Sequence, residues 1–150
     1  MEIERKFRPA EAPDLEGDDG EQIEQGYLAL GPGGEVRLRR KGGSPLLTVK
    51  MGSGLVREEV EIELSPEQFD ALWPLTEGRR LRKRRYLLPL GRRRVELDVY
   101  EGDLDGLLTA ELEFDDEAEA TSFEPPAWLG VEVTGDERFL NERLATAGAP

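Results

Sequence analysis

The chain has 150 residues, of which 35% are charged and 37% hydrophobic, and its formal net charge is −13. This length is sufficient for one domain with a hydrophobic core, and we expect residues 1–150 to form a single domain. The negative charge argues against a general binder of nucleic acid or of anionic membranes. The chain has no cysteine and no histidine, which excludes disulfides, thiol nucleophiles, imidazole bases and histidine-ligated metals. Any metal must therefore bind to oxygen, which favours magnesium, manganese or calcium.

The sequence shows no secretion signal and no apolar run long enough to span a bilayer. We therefore expect a cytoplasmic protein. The oligomeric state stays open between monomer and homodimer.

The first predicted strand covers residues 2–8. Side chains of a strand alternate between its two faces, so Glu2, Glu4 and Lys6 share one face. Two carboxylates at this spacing can hold a hard divalent cation, and the lysine can hold an anion that the cation carries.

Further alternating segments follow along the chain, separated by glycine-rich and proline-rich turns. A serine, a proline and a glutamine at positions 65, 66 and 68 predict a capped helix that extends through Trp73. Weaker helical patterns occupy residues 115–123 and 136–147. The predicted strands are 2–8, 22–30, 35–41, 46–51, 55–64, 81–88, 93–100 and 107–114. Many short strands with few helices predict a mainly β fold with some α structure, an antiparallel sheet or barrel partly covered by helices.

Almost every predicted strand has one apolar face and one charged face, and the sign of the charge differs between strands. Half-buried antiparallel strands commonly turn their polar face to solvent, which would make these charges functionally silent. Like charges on one strand repel, however, and a cation or a polyanion would relieve that repulsion inside a charged cavity. The pattern alone leaves both arrangements open.

The basic run at residues 79–85 also raises the question of nucleic-acid binding. Tyr86 is the only aromatic residue beside it, and no nucleic-acid recognition motif accompanies it. We expect no nucleic-acid partner and no membrane partner.

Several motifs together resemble the CYTH superfamily, the triphosphate tunnel metalloenzymes. Residues 2–6 (EIERK) are similar to its ExExK signature, and Arg37-Leu38-Arg39 and Thr48-Val49-Lys50 resemble its RxR and TxK strands. The other matching segments are residues 25–28 (QGYL), 57–61 (REEVE), 76–86 (TEGRRLRKRRY), 96–99 (ELDV), 111–114 (ELEF) and 138–141 (RFLN).

This resemblance implies an eight-stranded antiparallel tunnel with a charged lumen, which hydrolyses a triphosphate with Mg²⁺ or Mn²⁺. The metal ligands that it implies are Glu2, Glu4, Glu59, Glu61, Glu111 and Glu113. The implied phosphate-binding residues are Lys6, Arg37, Arg39, Lys50, Lys83, Arg85 and Arg94. The residues that it places closest to the chemistry are Lys6, Glu61, Lys83 and Asp98.

The expected substrate is inorganic tripolyphosphate, because the chain is short and has no evident aromatic pocket for an organic group. An adenylyl cyclase of class IV type and a thiamine triphosphatase are alternatives with the same signature. A protein that binds polyphosphate or nucleotide without catalysis is an alternative of another class. The number of metal ions and the group that activates water stay open.

Overall fold

The computed structural model describes residues 3–52 and 58–150. It confirms a mainly antiparallel β fold with three helices. The strands are β1 (Ile3–Arg8), β2 (Glu21–Gly31), β3 (Gly34–Lys41), β4 (Ser44–Met51), β5 (Glu58–Glu63), β6 (Arg80–Leu90), β7 (Arg93–Glu101), β8 (Leu108–Phe114) and β9 (Val131–Glu132). The helices are α1 (Pro66–Leu72), α2 (Glu117–Ser122) and α3 (Asn141–Ala147).

The eight predicted strands are all present, and their described ends agree with the prediction to within two residues. The predicted residues 2 and 55–57 lie outside the described residues. The predicted cap of α1 is also confirmed, because Ser65 Oγ accepts from the Gln68 backbone N–H at 3.1 Å and Gln68 Oε1 accepts from the Ser65 backbone N–H at 2.8 Å.

The strands form one sheet in the order β5-β4-β3-β2-β6-β7-β8-β1-β9. The sheet therefore has nine strands, whereas the family resemblance implies a tunnel or barrel of eight, and among the described residues its end strands do not pair. The two-residue strand β9 pairs with Phe7 and Arg8 at the free edge of β1. Next to it, the Lys6 backbone N–H donates to Thr134 Oγ1, and the Lys6 carbonyl accepts from the Val133 backbone N–H. This edge of β1 is therefore occupied, which prevents β5 from pairing there.

The C-terminal segment, residues 133–147, shows that the sheet is strongly curved. Its Phe139 carbonyl accepts a hydrogen bond from Lys6 on β1, while its Glu142 lines a cavity together with Lys50 on β4. These two strands are six places apart in the sheet order, which would be about 29 Å in a flat sheet with strands about 4.8 Å apart. Three residues of chain extend at most about 11 Å. The sheet must therefore curl around this segment, and the face that contacts it is concave.

The convex face carries the larger apolar core. Phe7, Leu97 and Leu112 are almost fully buried there, and they pack with Ala120 of α2 and with Leu129. Helix α2 thus covers an apolar sheet face, as predicted. A second apolar cluster lies at one end of the concave face, where Val133, Phe139 and Leu144 of the C-terminal segment pack on strand and loop residues (Leu81, Tyr100, Leu104 and Leu107). No helix in the described residues has the length and apolar character needed to cross a membrane.

Candidate active site

The concave face brings the predicted charged residues together. In an antiparallel pair, directly opposed residues lie on the same face, so the register connects one strand to the next. Lys6 is opposite Glu111, Glu111 is opposite Glu96, and residues two apart along a strand stay on that face. All predicted site residues within the described ranges lie on this face: Glu4, Lys6, Arg37, Arg39, Lys50, Glu59, Glu61, Lys83, Arg85, Arg94, Asp98, Glu111 and Glu113. Glu2 lies outside the described residues.

A buried ion-pair cluster forms the middle of this face. Asp98 accepts two hydrogen bonds from Arg85, at 2.8 and 3.0 Å, and its Oδ2 lies 2.8 Å from Lys83 Nζ. Burial opposes ionisation of Asp98, but the two cations outweigh it and lower its pKa to about 2. Lys83 is fully buried, and this burial lowers its pKa to about 8 despite the attraction of Asp98. Lys83 therefore has no surface exposed to solvent. Arg85 also lies 3.3 Å from Glu96.

Arg39 and Arg37 extend the positive charge towards β3. Arg39 Nε donates to Gln25 Oε1 at 2.9 Å, so an uncharged partner orients this guanidinium. Burial lowers the pKa of Arg39, and the nearby charges of Arg37 and Arg85 lower it further. Three guanidinium groups close enough to repel one another are typical of a site that binds a polyanion.

Lys50 and Lys6 lie on either side of this arginine group in the sheet order. Lys50 Nζ is 3.9 Å from Glu35, which is also 3.9 Å from Arg37. Lys6 Nζ donates to the Phe139 carbonyl at 2.8 Å and lies 3.2 Å from Glu111. Both ammonium groups therefore face the concave side with carboxylates beside them.

The predicted acidic residues divide into two groups. Glu4 and Glu113 are directly opposite each other in the register of β1 and β8, with Glu111 two residues away. Glu59 and Glu61 lie on β5 at the other end of the sheet order, where Glu59 approaches Arg37 at 4.0 Å. Among residues 3–52 and 58–150, no three carboxylates lie close enough together to hold one metal ion.

Glu111 and Glu113 of the first acidic group line an open groove of about 560 Å³. Arg93, Arg94 and Glu96 also line it from the sheet, and Arg92 lines it from the β6–β7 turn. Glu4 and Glu113 carry like charges at a directly opposed position, which is unfavourable unless a cation lies near. Their oxygen donors have the chemistry that Mg²⁺ and Mn²⁺ prefer, so these residues fit a metal site that needs a further ligand.

Two phenols on the concave face were missed by the sequence analysis. Tyr27 is buried and accepts a hydrogen bond from Gln25 Nε2 at 2.6 Å; burial and the charge of Glu35 raise its pKa to about 12. Tyr100 donates to Asn141 Oδ1 at 2.7 Å, and burial raises its pKa as well. A signal was present for Tyr27, since it lies two residues after Gln25 in a predicted strand and must share its face.

Residues 1–139 match the CYTH domain family. The chain belongs to the CYTH family. An inorganic triphosphatase of Nitrosomonas europaea is 46% identical over 147 residues, which are 96% of each protein. An inorganic triphosphatase of Acetivibrio thermocellus is 35% identical over 145 residues, which cover 95% of this chain and 92% of that protein.

Solved structures of similar proteins share this fold. The crystal structure of the inorganic triphosphatase NE1496 matches with a TM-score of 0.83 and 41% identity, and the match covers 100% of this chain and 97% of that one. HpAC1 from Hippeastrum matches with a TM-score of 0.56 and 17% identity, over 81% of this chain and 83% of that one. This second likeness concerns the fold alone.

Proposed function

We propose that this chain is an inorganic triphosphatase, which hydrolyses tripolyphosphate to pyrophosphate and phosphate. The observation that carries the proposal is the concave face, where Arg37, Arg39 and Arg85 crowd together between groups of carboxylates. Such crowding is unfavourable without an anion, and a linear triphosphate with four or five negative charges supplies one. The names of the two curated relatives support the same reaction.

The arginines and lysines of this face are proposed to hold the phosphate chain. Arginine binds phosphate oxygens through paired donors, and lysine acts as a point charge. Phosphoryl transfer requires little covalent chemistry from a protein, so fixing the chain and stabilising its developing charge provide most of the rate enhancement. Lys6, Lys50 and Arg94 are the proposed outer contacts, and Arg37, Arg39 and Arg85 are the central ones.

Lys83 and Asp98 are proposed to act through Arg85. Lys83 has no exposed surface, and Asp98 already binds both cations. Their burial therefore suits a positioning role for the guanidinium of Arg85 better than contact with substrate. Glu61 on β5 faces the concave side and is exposed, so it is the proposed group that accepts a proton from water.

Dependence on Mg²⁺ or Mn²⁺ belongs to the same proposal. Glu4 and Glu113 are the described residues that would hold the ion, with Glu2 as a further candidate from the sequence. A bound divalent ion supplies neutralisation of the charge on phosphate oxygens. We expect excess chelator to abolish turnover and added Mg²⁺ or Mn²⁺ to restore it.

A phosphate-release assay with tripolyphosphate, thiamine triphosphate, ATP and pyrophosphate tests the proposal. We expect tripolyphosphate to be preferred by at least tenfold in kcat/KM. Equal or faster turnover of an organic triphosphate would reject the inorganic preference, and formation of cyclic AMP from ATP would identify a cyclase instead. Triphosphate binding without phosphate release at saturating Mg²⁺ would identify a binding protein. The cytoplasmic location and the oligomeric state stay predictions of the sequence.

A further inference from the structure

The C-terminal segment closes one end of the concave face. Phe139 and Leu144 are buried against strand residues, and the hydrogen bond from Tyr100 to Asn141 fixes the beginning of α3. The Phe139 carbonyl also accepts from Lys6, a proposed phosphate ligand. This wall therefore lies in direct contact with the proposed substrate site.

Glu142 is the acidic residue that this wall turns towards the site. It is half-buried and lines a cavity of about 120 Å³ together with Glu35 and Lys50. Within the described residues, no cation lies within ion-pair distance of the Glu142 carboxylate, whereas Glu35 is shared between Arg37 and Lys50. Its charge also reaches the concave face, since it contributes to the raised pKa of Tyr27, after burial and Glu35.

A carboxylate that has no cation beside it among residues 3–52 and 58–150 affects a polyanion in a specific way. A phosphate bound to Lys50 would lie at the end of the row of cations, in a cavity that the carboxylates of Glu35 and Glu142 also line. Like charges in a partly buried site repel strongly, because water screens them less than at a free surface. Each phosphate added to the polyphosphate beyond Lys50 is repelled by Glu142, whereas a polyphosphate that ends at Lys50 largely avoids this repulsion.

We propose that Glu142 sets the upper limit on the length of the polyphosphate that the site accepts, by placing a negative charge at the closed end of the concave face. The inference rests on the proposed function, since it concerns the same phosphate site. It assigns to the wall a role in selecting triphosphate over longer linear polyphosphates.

The test compares tripolyphosphate with tetrapolyphosphate in wild type and in Glu142→Gln, which removes the charge and keeps the size. We expect the ratio of kcat/KM for tetrapolyphosphate to that for tripolyphosphate to rise about tenfold in Glu142→Gln. Glu142→Asp keeps the charge and is expected to keep the wild-type ratio. Glu137→Gln is the matched control, because it removes the same charge from an exposed position of the same segment.

An unchanged ratio in Glu142→Gln, or an equal rise in Glu137→Gln, would overturn the inference. So would a wild-type protein that processes both lengths equally well. The dissociation constants of both polyphosphates, measured by calorimetry, keep the two proposals distinguishable. If wild type releases no phosphate from tripolyphosphate, the proposed function fails. The ratio of the Kd for tetrapolyphosphate to the Kd for tripolyphosphate, compared between wild type and Glu142→Gln, then decides the role of Glu142.

Discussion

Replacing Asp98 by asparagine is expected to destabilise the protein in a manner that depends on pH. Asp98 is the shared counterion of Lys83 and Arg85, and all three side chains are largely buried. The substitution keeps the shape but leaves two cations without their carboxylate. Removing one partner of a buried ion pair typically costs about 3 kcal/mol or more, because the remaining charge is uncompensated.

The pH dependence follows from the pKa of Lys83. Burial lowers this pKa from 10.5 to about 8, so between these values the unfolded chain binds more protons and the free energy of unfolding rises with pH. Below pH 8 the full cost of burying the ammonium is present. From pH 8 to 9.5 the wild type regains about 2 kcal/mol, at about 1.36 kcal/mol per pH unit.

Loss of Asp98 extends this window to lower pH. Without the carboxylate, which raises the pKa of Lys83 in the wild type, this pKa falls further, so the variant regains stability over a wider pH range than the wild type. The difference in unfolding free energy between the two proteins, about 3 kcal/mol at pH 7, should therefore be smaller at pH 9.5, by about 1.36 kcal/mol for each unit by which the substitution lowers the pKa of Lys83.

Urea denaturation of both proteins at pH 7 and pH 9.5 measures these quantities. Lys83→Met provides the control background, in which the effect of Asp98→Asn should not change with pH. If Asp98→Asn lowers the unfolding free energy equally at pH 7 and pH 9.5 in the protein that keeps Lys83, the assigned cause is refuted. A rise in destabilisation at high pH would contradict it more strongly.

Three further predictions concern single positions. Glu4→Gln should abolish Mg²⁺-dependent phosphate release while the chain stays folded, because a neutral amide is a poorer ligand than a carboxylate for a hard divalent ion; wild-type turnover would remove Glu4 from the metal site. Arg39→Ala should lower kcat/KM for tripolyphosphate about a hundredfold without loss of thermal stability, and an equal loss in the convex-face variant Arg82→Ala would show an unspecific charge effect. Gly26→Ala should lower the melting temperature by several degrees, since an added Cβ would lie 2.6 Å from Thr76 Oγ1; an unchanged value in calorimetry would contradict that crowding.

Strand alternation accounts for most of what the sequence predicted correctly. A period of two fixes which residues share a face, so the grouping of Arg37 with Arg39 and of Glu111 with Glu113 required only the strand assignment. Alternation does not reveal which face is concave. That choice came from the resemblance to CYTH proteins, and the contacts of Phe139 and Glu142 on distant strands support it.

The ninth strand and the open sheet edge could not be read from the sequence. Strand β9 has only two residues, which is too short for any alternation to appear. Its pairing with β1 depends on Arg5, which donates to Glu132 at 2.6 and 3.0 Å and to the carbonyl groups of Ala120 and Phe123. These partners lie more than 110 residues away in the chain, so no local pattern indicates them.

Burial within the charged face was equally hidden. Lys83 and Lys50 look alike in their alternating strands, yet Lys83 is fully buried and Lys50 keeps 26% of its side chain exposed. The difference arises from what covers each residue: the second apolar cluster lies beside Lys83, whereas Lys50 opens into a cavity. Covering groups come from the C-terminal segment, which meets the sheet only in the folded chain.

The placement of α3 follows from the same limitation and has the larger functional consequence. The spacing of Phe139, Leu140 and Leu144 predicts a helix with an apolar side, but Leu140 is 45% exposed while the other two are buried. The apolar side of a helix packs on other apolar residues, and the concave face has such residues at Leu81 and Leu107. Because α3 packs there rather than on the convex side, its first turn places the carboxylate of Glu142 at the proposed phosphate site. A helix that the sequence predicts as a cover for the sheet is thus a wall of the proposed active site.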